Sequence, residues 1–102
     1  MTPVIVRRQA QADVEDAVDW YLAVAPEVAA SLVSEYETML AHISAHPRIF
    51  AEEHRKARLA PLRRFPYNVW YVYDDTTEVV VVLRVTHQRQ DDVQIKRSLP
   101  EV

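Results

Sequence analysis

The sequence predicts an α+β fold of order βααβββ, in which a helical hairpin packs on a mainly antiparallel four-stranded sheet. Residues 10–43 repeat apolar side chains at spacings of three and four, which is the period of amphipathic helices. Residues 67–73 and 79–85 are runs of β-branched and aromatic residues of strand length, and polar residues suited to a hairpin turn separate them. A chain of 102 residues is expected to form one domain, 1–102.

Two helices are expected to follow a short first strand at residues 3–6. Apolar stripes predict them over 10–25 and 27–45, and Pro26 either ends the first helix or opens the second. So short a connection makes the two helices an antiparallel hairpin. We expect the hairpin to pack on one side of the last strand, the side formed by Val79, Val81, Leu83 and Val85.

The tyrosines of these helices, Tyr21 and Tyr36, lie near the apolar stripes. We expect both to anchor the core, with the hydroxyl group of each at its rim, because a buried phenol needs a hydrogen-bond partner.

The remaining segments are read from their breakers and charges. Residues 48–57 are expected to form an irregular, charged surface loop, with or without a helical turn. Residues 58–65 read as a strand in which Pro61 marks an edge or a bulge. Residues 90–99 are expected to be either a short terminal helix or a tail.

Composition excludes several classes of site. The absence of Cys excludes disulfides, zinc–thiolate sites and thiol nucleophiles, and the absence of Gly excludes Gly-rich phosphate loops. His42 and His46 are one helical turn apart, but no third ligand is evident, so we expect no metal and no cofactor. No apolar run is long enough to span a membrane, and a cytoplasmic protein is expected.

Charge is distributed unevenly along the chain. Residues 1–47 carry two bases and seven acids, a net charge of −5, whereas residues 48–64 carry six bases and two acids, a net charge of +4. A basic segment in an acidic chain indicates either a local anionic partner, such as nucleic acid or an acidic peptide, or a solvated loop.

Three parts of the sequence resemble the RelE/ParE toxin family of type II toxin–antitoxin systems. The first is the helix pattern of residues 10–21, and the second is Leu40 with His46-Pro47 at the end of the second helix. The third is RRFPYNVWY at 63–71 followed by a strand that ends in VTHQRQD at 85–91, which looks like the ParE branch.

The resemblance implies one of two activities. ParE-like members bind DNA gyrase and trap its cleaved DNA complex, and for them Arg63, Arg84, His87 and Arg89 would be binding residues. RelE-like members cut mRNA on the ribosome, and for them the catalytic candidates would be Arg64, Arg84, His87 and Arg89. The chain has no Tyr after Tyr73 and only two Lys, which favours the ParE branch over the mRNA-cleaving one. A homologue that has lost its activity is a third possibility.

The resemblance also implies a partner. A small antitoxin, ParD-like or similar, would wrap the toxin with its C-terminal segment and form a toxin–antitoxin hetero-oligomer. Apolar side chains of that segment would enter grooves along the helical hairpin and the sheet edge.

Two of the candidate residues have more than one interpretation from the sequence. Arg84 lies in a strand of Val and Leu, so it either faces solvent as a binding group or pairs with an acid. The acids considered for that pair are Glu78, Asp74 and Glu52. His87 is either a proton-transfer group or a residue at the end of the sheet that bonds to backbone or to Asp91.

Overall fold

The computed structural model describes residues 1–100, so the last two residues of the predicted 1–102 domain lie outside the described part. The predicted order βααβββ is confirmed, with one additional short strand after the helices and a third helix at the end. In chain order the elements are β1 (Val4–Val6), α1 (Arg8–Val24), α2 (Pro26–Ala45), β2 (Glu52–His54), β3 (Ala57–Pro61), β4 (Tyr67–Asp74), β5 (Val79–His87) and α3 (Asp92–Ser98).

The sheet has five strands in the order β1-β5-β4-β3-β2. β1 runs parallel to β5, and the other neighbours are antiparallel. The prediction of four strands was therefore short by one, because Glu52–His54 falls in the segment expected to be irregular. Glu52 pairs with Arg58 of β3. This edge strand is polar and three residues long, so it shows no apolar alternation from which it could be predicted.

The helical hairpin agrees closely with the prediction. Pro26 is the first residue of α2, and Ala25 alone separates it from α1. Proline is tolerated there because the first residues of a helix have no intrahelical partner for their N–H groups. The side chains of Ala10 and Ala17 on α1 and of Leu32 on α2 are buried in the core that the hairpin forms with the sheet.

The hairpin does not pack on the predicted side of β5. Its core includes Val80 and Val82, whereas Val81 and Leu83 lie in a second cluster on the opposite side of the sheet. The run from Val79 to Leu83 is apolar at every position, so alternation alone does not identify the side under the hairpin. A β-bulge then follows: Trp70 pairs with Arg84 and Tyr71 with Val82, so Leu83 is an extra residue in β5. The bulge shifts the alternation by one residue, so Val85 returns to the hairpin core.

The opposite side of the sheet is covered by α3. Ile95 and Leu99 pack there against Trp70 and Leu83, so residues 90–99 form a docked helix and not a free tail. Asp91 caps the helix by accepting a hydrogen bond from the N–H of Val93. β5 is apolar on both sides because the helical hairpin covers one face of the sheet and α3 covers the other.

β3 is shorter than the predicted strand of residues 58–65. It ends at Pro61, which pairs with Asn68, and the chain then turns back into β4. The N–H of Tyr67 donates to the carbonyl of Phe65 (2.9 Å), which closes the turn.

The two tyrosines of the hairpin differ. Tyr21 is half-buried, with its ring edge-on to Phe65 at 5.3 Å. Tyr36 is 7% exposed, and its buried hydroxyl has no hydrogen-bond partner among residues 1–100. The expectation that both hydroxyl groups reach the rim of the core is therefore wrong for Tyr36.

Candidate functional site

A polar cleft lies where the first turns of α1 pass the end of β5. β1 pairs with β5 only along Val80–Val82, so the edge of β5 beyond Val82 is left for α1 to cover. The cleft has a volume of about 430 Å³. Its lining residues come from α1, from the two long strands and from the loop after β5: Gln9, Asp13, Asp16, Ala17, Tyr67, Arg84, Val85, His87 and Gln90.

Arg84 is held by an acid of α1. Its Nε donates to Oδ2 of Asp13 at 2.8 Å and its Nη2 donates to Oδ1 at 3.3 Å. The same carboxylate accepts the N–H of Val85 (3.0 Å), and Nη1 of Arg84 donates to the hydroxyl of Ser98 on α3 (2.8 Å). Of the two sequence interpretations the ion pair is the one observed, but the partner is Asp13 and not one of the three acids considered.

His87 lies at the end of β5 and bonds to backbone. Its Nδ1 accepts the N–H of Arg89 (3.1 Å), so the neutral ring carries its proton on Nε2. Its ring meets the ring of Tyr67 edge-on at 5.3 Å. Burial raises the pKa of Tyr67, and the nearby Tyr21 raises it further, so this phenol stays protonated at neutral pH. No hydrogen bond joins His87 to Asp91 within the described residues.

Arg89 is exposed in the loop that follows. Its side chain has no hydrogen bond or ion pair to any residue in the described part of the chain, 1–100. It is therefore available to a partner, in contrast to Arg84.

Arg63 and Arg64 lie apart from the cleft, in the turn between β3 and β4. Glu35 of α2 holds this turn: its Oε1 accepts the backbone N–H of Arg63 (2.7 Å) and of Arg64 (3.0 Å). The Arg64 guanidinium lies 3.7 Å from the same carboxylate, and both arginine side chains are exposed. The structure therefore brings Arg84 and His87 together and places Arg63 and Arg64 elsewhere.

A larger and more apolar groove adjoins this turn, between α2 and the end of β3. It has a volume of about 700 Å³, and its lining combines apolar side chains with two arginines. The lining residues are Ser31, Ser34, Glu35, Thr38, Met39, His42, Phe50, Pro61, Leu62, Arg63 and Arg64. We call it the α2 groove.

The basic segment of residues 48–64 is partly neutralised by acids. Arg48 pairs with Asp75 in the β4–β5 turn and lies 4.8 Å from the centre of the Tyr73 ring. Arg58 pairs with Glu52 and also donates to the carbonyl of Phe50 (2.6 Å). With the Glu35–Arg64 pair, acidic partners are seen for Arg48, Arg58 and Arg64, which favours the solvated-surface interpretation for much of the segment.

Sequence reasoning missed the acidic side of the cleft. Asp13 and Asp16 entered the sequence analysis only among the seven acids of residues 1–47, and no local signal connects them to a strand far along the chain. Their spacing of three residues was the available signal, because it puts both carboxylates on one side of α1. Across residues 1–100, no cluster of three His, Cys, Asp or Glu side chains could hold a metal ion. No helix in that part of the chain is both long and apolar enough to cross a membrane.

Comparison with known proteins identifies the family. The sequence model of the ParE toxin of the type II toxin–antitoxin system parDE matches residues 4–92. The chain belongs to the ParE toxin family. It is thus a toxin of a type II toxin–antitoxin system, as the resemblance implied. A comparison with curated proteins gives no match.

Solved structures with this fold include both branches of the wider family. A chromosomal ParDE system of P. aeruginosa superposes with a TM-score of 0.74 at 21% identity, over 85% of this ParE-family chain and 96% of that chain. The RelBE2 toxin–antitoxin complex of Mycobacterium tuberculosis gives a TM-score of 0.57 at 26% identity, over 84% of this chain and 96% of that chain. The isolated RelE toxin of E. coli gives a TM-score of 0.62 at 19% identity, over 97% of this chain and 100% of that chain.

Proposed function

We propose that this ParE-family toxin inhibits DNA gyrase by binding it and contributes no bond-breaking chemistry of its own. The observation that carries the proposal is the ion pair between Arg84 and Asp13. Arg84 is the one arginine in the two long strands β4 and β5, and a nuclease site in the adjoining cleft would need it as a phosphate ligand. Its guanidinium instead has Asp13 and Ser98 as partners.

A nuclease without a metal needs positive charge on the scissile phosphate. In the cleft, the charge of Arg84 is balanced by Asp13, and Asp16 adds a second carboxylate. A phosphate that entered would meet a net negative lining beside His87 and would be repelled. This local charge supports a binding role and argues against RNA cleavage.

The experiment compares two reactions of the purified toxin. In the first, the toxin is incubated with gyrase, supercoiled plasmid and ATP, and linear DNA is measured after detergent and protease treatment. In the second, it is incubated with ribosomes programmed with mRNA, and cleavage is mapped by primer extension. Gyrase-dependent linear DNA with intact mRNA is expected. Codon-dependent mRNA cuts without DNA cleavage would overturn the proposal, and silence in both assays would indicate a homologue without either activity.

The RelE-like ribonuclease is the second candidate, and one observation favours it. His87 and Tyr67, two groups able to transfer protons, are in ring contact, and the exposed guanidinium of Arg89 lies two residues further on. This arrangement could move a proton near a bound phosphate if Arg89, and not Arg84, neutralised it.

We further propose that an antitoxin binds the toxin, as in the ParDE and RelBE complexes that share its fold. The α2 groove suits a segment with apolar anchors and acidic residues. Met39, Phe50 and Leu62 contribute apolar lining, and Arg63 and Arg64 contribute two cationic side chains. Both candidate targets act in the cytoplasm, so the toxin is proposed to act there.

The antitoxin proposal is tested by co-expression with the neighbouring small reading frame. Met39→Asp, in the groove, should abolish co-purification of the complex. Glu37→Lys, an exposed position on the same helix outside the groove, is the matched control and should leave the complex intact. Loss of the complex in the control alone, or in neither variant, would contradict this assignment.

A further inference from the structure

One side of α1 carries a surface that neither the core nor the cleft explains. Asp16, Trp20 and Val24 follow one another at four-residue spacing, so they form a continuous stripe on the helix. Trp20 is 56% exposed and Val24 is 57% exposed. We call these three residues the α1 stripe.

Trp20 contacts a neighbouring ring but remains more than half exposed. Among residues 1–100, its ring meets one aromatic neighbour, Tyr21, edge-on at 4.9 Å. The chain's other tryptophan, Trp70, is fully buried and donates from Nε1 to the hydroxyl of Thr86 at 3.0 Å. Trp20 therefore has no comparable structural role, and exposed tryptophans are enriched among the residues that dominate binding energy at interfaces.

The charges that α1 itself places beside the stripe are negative. After Arg8, α1 contains no base, and its acids are Asp13, Glu15, Asp16 and Asp19. Asp13 is neutralised by Arg84, whereas the other three have no ion pair within residues 1–100. An indole face beside unpaired carboxylates attracts a Lys or Arg side chain, through cation–π contact and charge attraction together. It repels the phosphates of a nucleic acid.

We propose that the α1 stripe docks a positively charged surface of the toxin's protein target. The inference rests on the proposed function in naming that target as gyrase. An enzyme that holds DNA presents Lys and Arg side chains to the phosphate backbone, and the stripe is complementary to such a surface. The stripe also continues from Asp16, which lines the cleft that contains His87. One partner can therefore contact the stripe and the end of β5 at the same time.

The first test uses the toxin's own fluorescence with decalysine as the cationic probe. Because Trp70 is buried, a change in indole emission on titration reports on Trp20. A saturable change that weakens with added salt is expected, since exposed ion pairs are screened. Asp16→Lys should weaken binding about 10-fold or more, and Glu37→Lys, the matched charge reversal on α2, should bind like the wild type.

The second test measures binding of immobilised gyrase to folded toxin variants. Trp20→Ala and Asp16→Lys should each weaken binding about 10-fold or more, and Trp20→Phe should restore part of it. Both positions are exposed, so melting temperatures should match that of the wild type. If the wild type binds gyrase and both variants bind equally well, the stripe is not the docking surface, although the proposed function stands. If the wild type does not bind gyrase, the named target fails, and the decalysine titration decides whether the stripe recognises cations.

A third arm addresses the antitoxin as an alternative occupant. The antitoxin complex is prepared, and exposure of Trp20 to a neutral quencher such as acrylamide is measured in the complex and in the free toxin. Unchanged quenching supports a stripe that is free for the target. Protection of Trp20 by the antitoxin, with gyrase binding unaffected by Asp16→Lys, would assign the stripe to the antitoxin and overturn the proposal.

Discussion

Asp13 and Arg84 are 71 residues apart in the chain, and their side chains form a two-pronged ion pair that ties α1 to β5. The side chains are 10% and 19% exposed, so neither charge is well solvated. Asp13 also accepts the N–H of Val85, a backbone group at the edge of β5 that β1 does not reach. The Asp13 carboxylate therefore accepts the Val85 N–H, which a longer β1 would otherwise have to pair. The same carboxylate neutralises Arg84.

Removing this carboxylate should destabilise the fold. Asp13→Ala leaves the Arg84 guanidinium and the Val85 N–H without their partner, and we expect a loss of about 3 kcal/mol in the free energy of unfolding. Asp19→Ala, an exposed acid on the same helix, is the control and should change it by less than about 0.5 kcal/mol. Urea unfolding followed by circular dichroism measures both. A loss in Asp13→Ala no larger than in the control would show that the pair contributes little.

Removing the buried hydroxyl of Tyr36 should not destabilise the protein, in contrast to removing the Asp13 carboxylate. Because the group has no hydrogen-bond partner within residues 1–100, Tyr36→Phe should leave the free energy of unfolding unchanged or raise it by about 1 kcal/mol. Tyr71 is the matched control, since its hydroxyl donates to the carbonyl of Pro47 at 2.9 Å. Tyr71→Phe should lower stability by about 1 kcal/mol. A destabilised Tyr36→Phe would indicate a hydrogen-bond partner for the hydroxyl in solution, such as a bound water.

The same hydroxyl predicts a stability loss at alkaline pH. Burial raises the pKa of Tyr36 from 10.0 to about 12. Between these values the unfolded chain has lost a proton that the folded chain retains. The contribution to stability is therefore complete below about pH 10 and declines as the pH rises towards about 12. Tyr36→Phe should reduce this decline in urea unfolding measured across that window. An equal decline in both proteins would show that the folded and unfolded chains titrate this group alike.

The side of β5 that faces the hairpin predicts which valine is most sensitive to charge. Val82 is fully buried under the hairpin, whereas Val81 lies on the α3 side and is partly exposed. Val82→Asp should therefore unfold the protein, because it buries an unpaired carboxylate. Val81→Asp should leave a folded protein with a lower melting temperature. The reverse order, or equal effects, would contradict the placement of Val82, and not Val81, under the hairpin.

Sequence-based prediction succeeded for the helices and failed for the side of β5 that faces them. The helices were found because their spacing is a local signal, and Pro26 marks their junction. The side of β5 under the hairpin was assigned wrongly because the run from Val79 to Leu83 is apolar at every position. Period-two alternation in such a run does not reveal which side faces which layer. The extra residue at Leu83 is set by pairing with β4, and no residue type in the run announces it.

The cleft shows a second limit of the sequence. Arg84 was recognised as needing an acid because an unpaired cation in an apolar strand is unfavourable. The acids considered were Glu78, Asp74 and Glu52, and none of them is the observed partner. Asp13 is distant in sequence, and it meets Arg84 only because β1 ends early and α1 crosses the open edge of β5. The sequence around Arg84 thus shows that the arginine needs an acidic partner, but the identity of that partner depends on the topology of the fold.

His87 and Arg89 give the sharpest functional prediction, because a gyrase inhibitor would use them for binding and a ribonuclease would use them for catalysis. As binding residues, each should contribute about 1–3 kcal/mol to target affinity, so His87→Ala and Arg89→Ala should weaken gyrase-dependent DNA cleavage without abolishing it. As catalytic residues, either loss should lower the rate of mRNA cleavage about 10²–10³-fold. The measurement is dose dependence in both assays for the wild type and the two variants.

Two sets of controls separate function from folding in that experiment. His46→Ala and Arg97→Ala remove exposed residues of the same types outside the cleft and should behave as the wild type. His87→Gln retains a side-chain acceptor for the N–H of Arg89, so it should preserve the loop while removing the titratable ring. Graded loss of DNA cleavage in the alanine variants, with wild-type melting temperatures, supports a binding surface at the end of β5. Abolished mRNA cleavage in His87→Gln, in a wild type that cuts mRNA, would make His87 a proton-transfer residue and overturn the gyrase proposal.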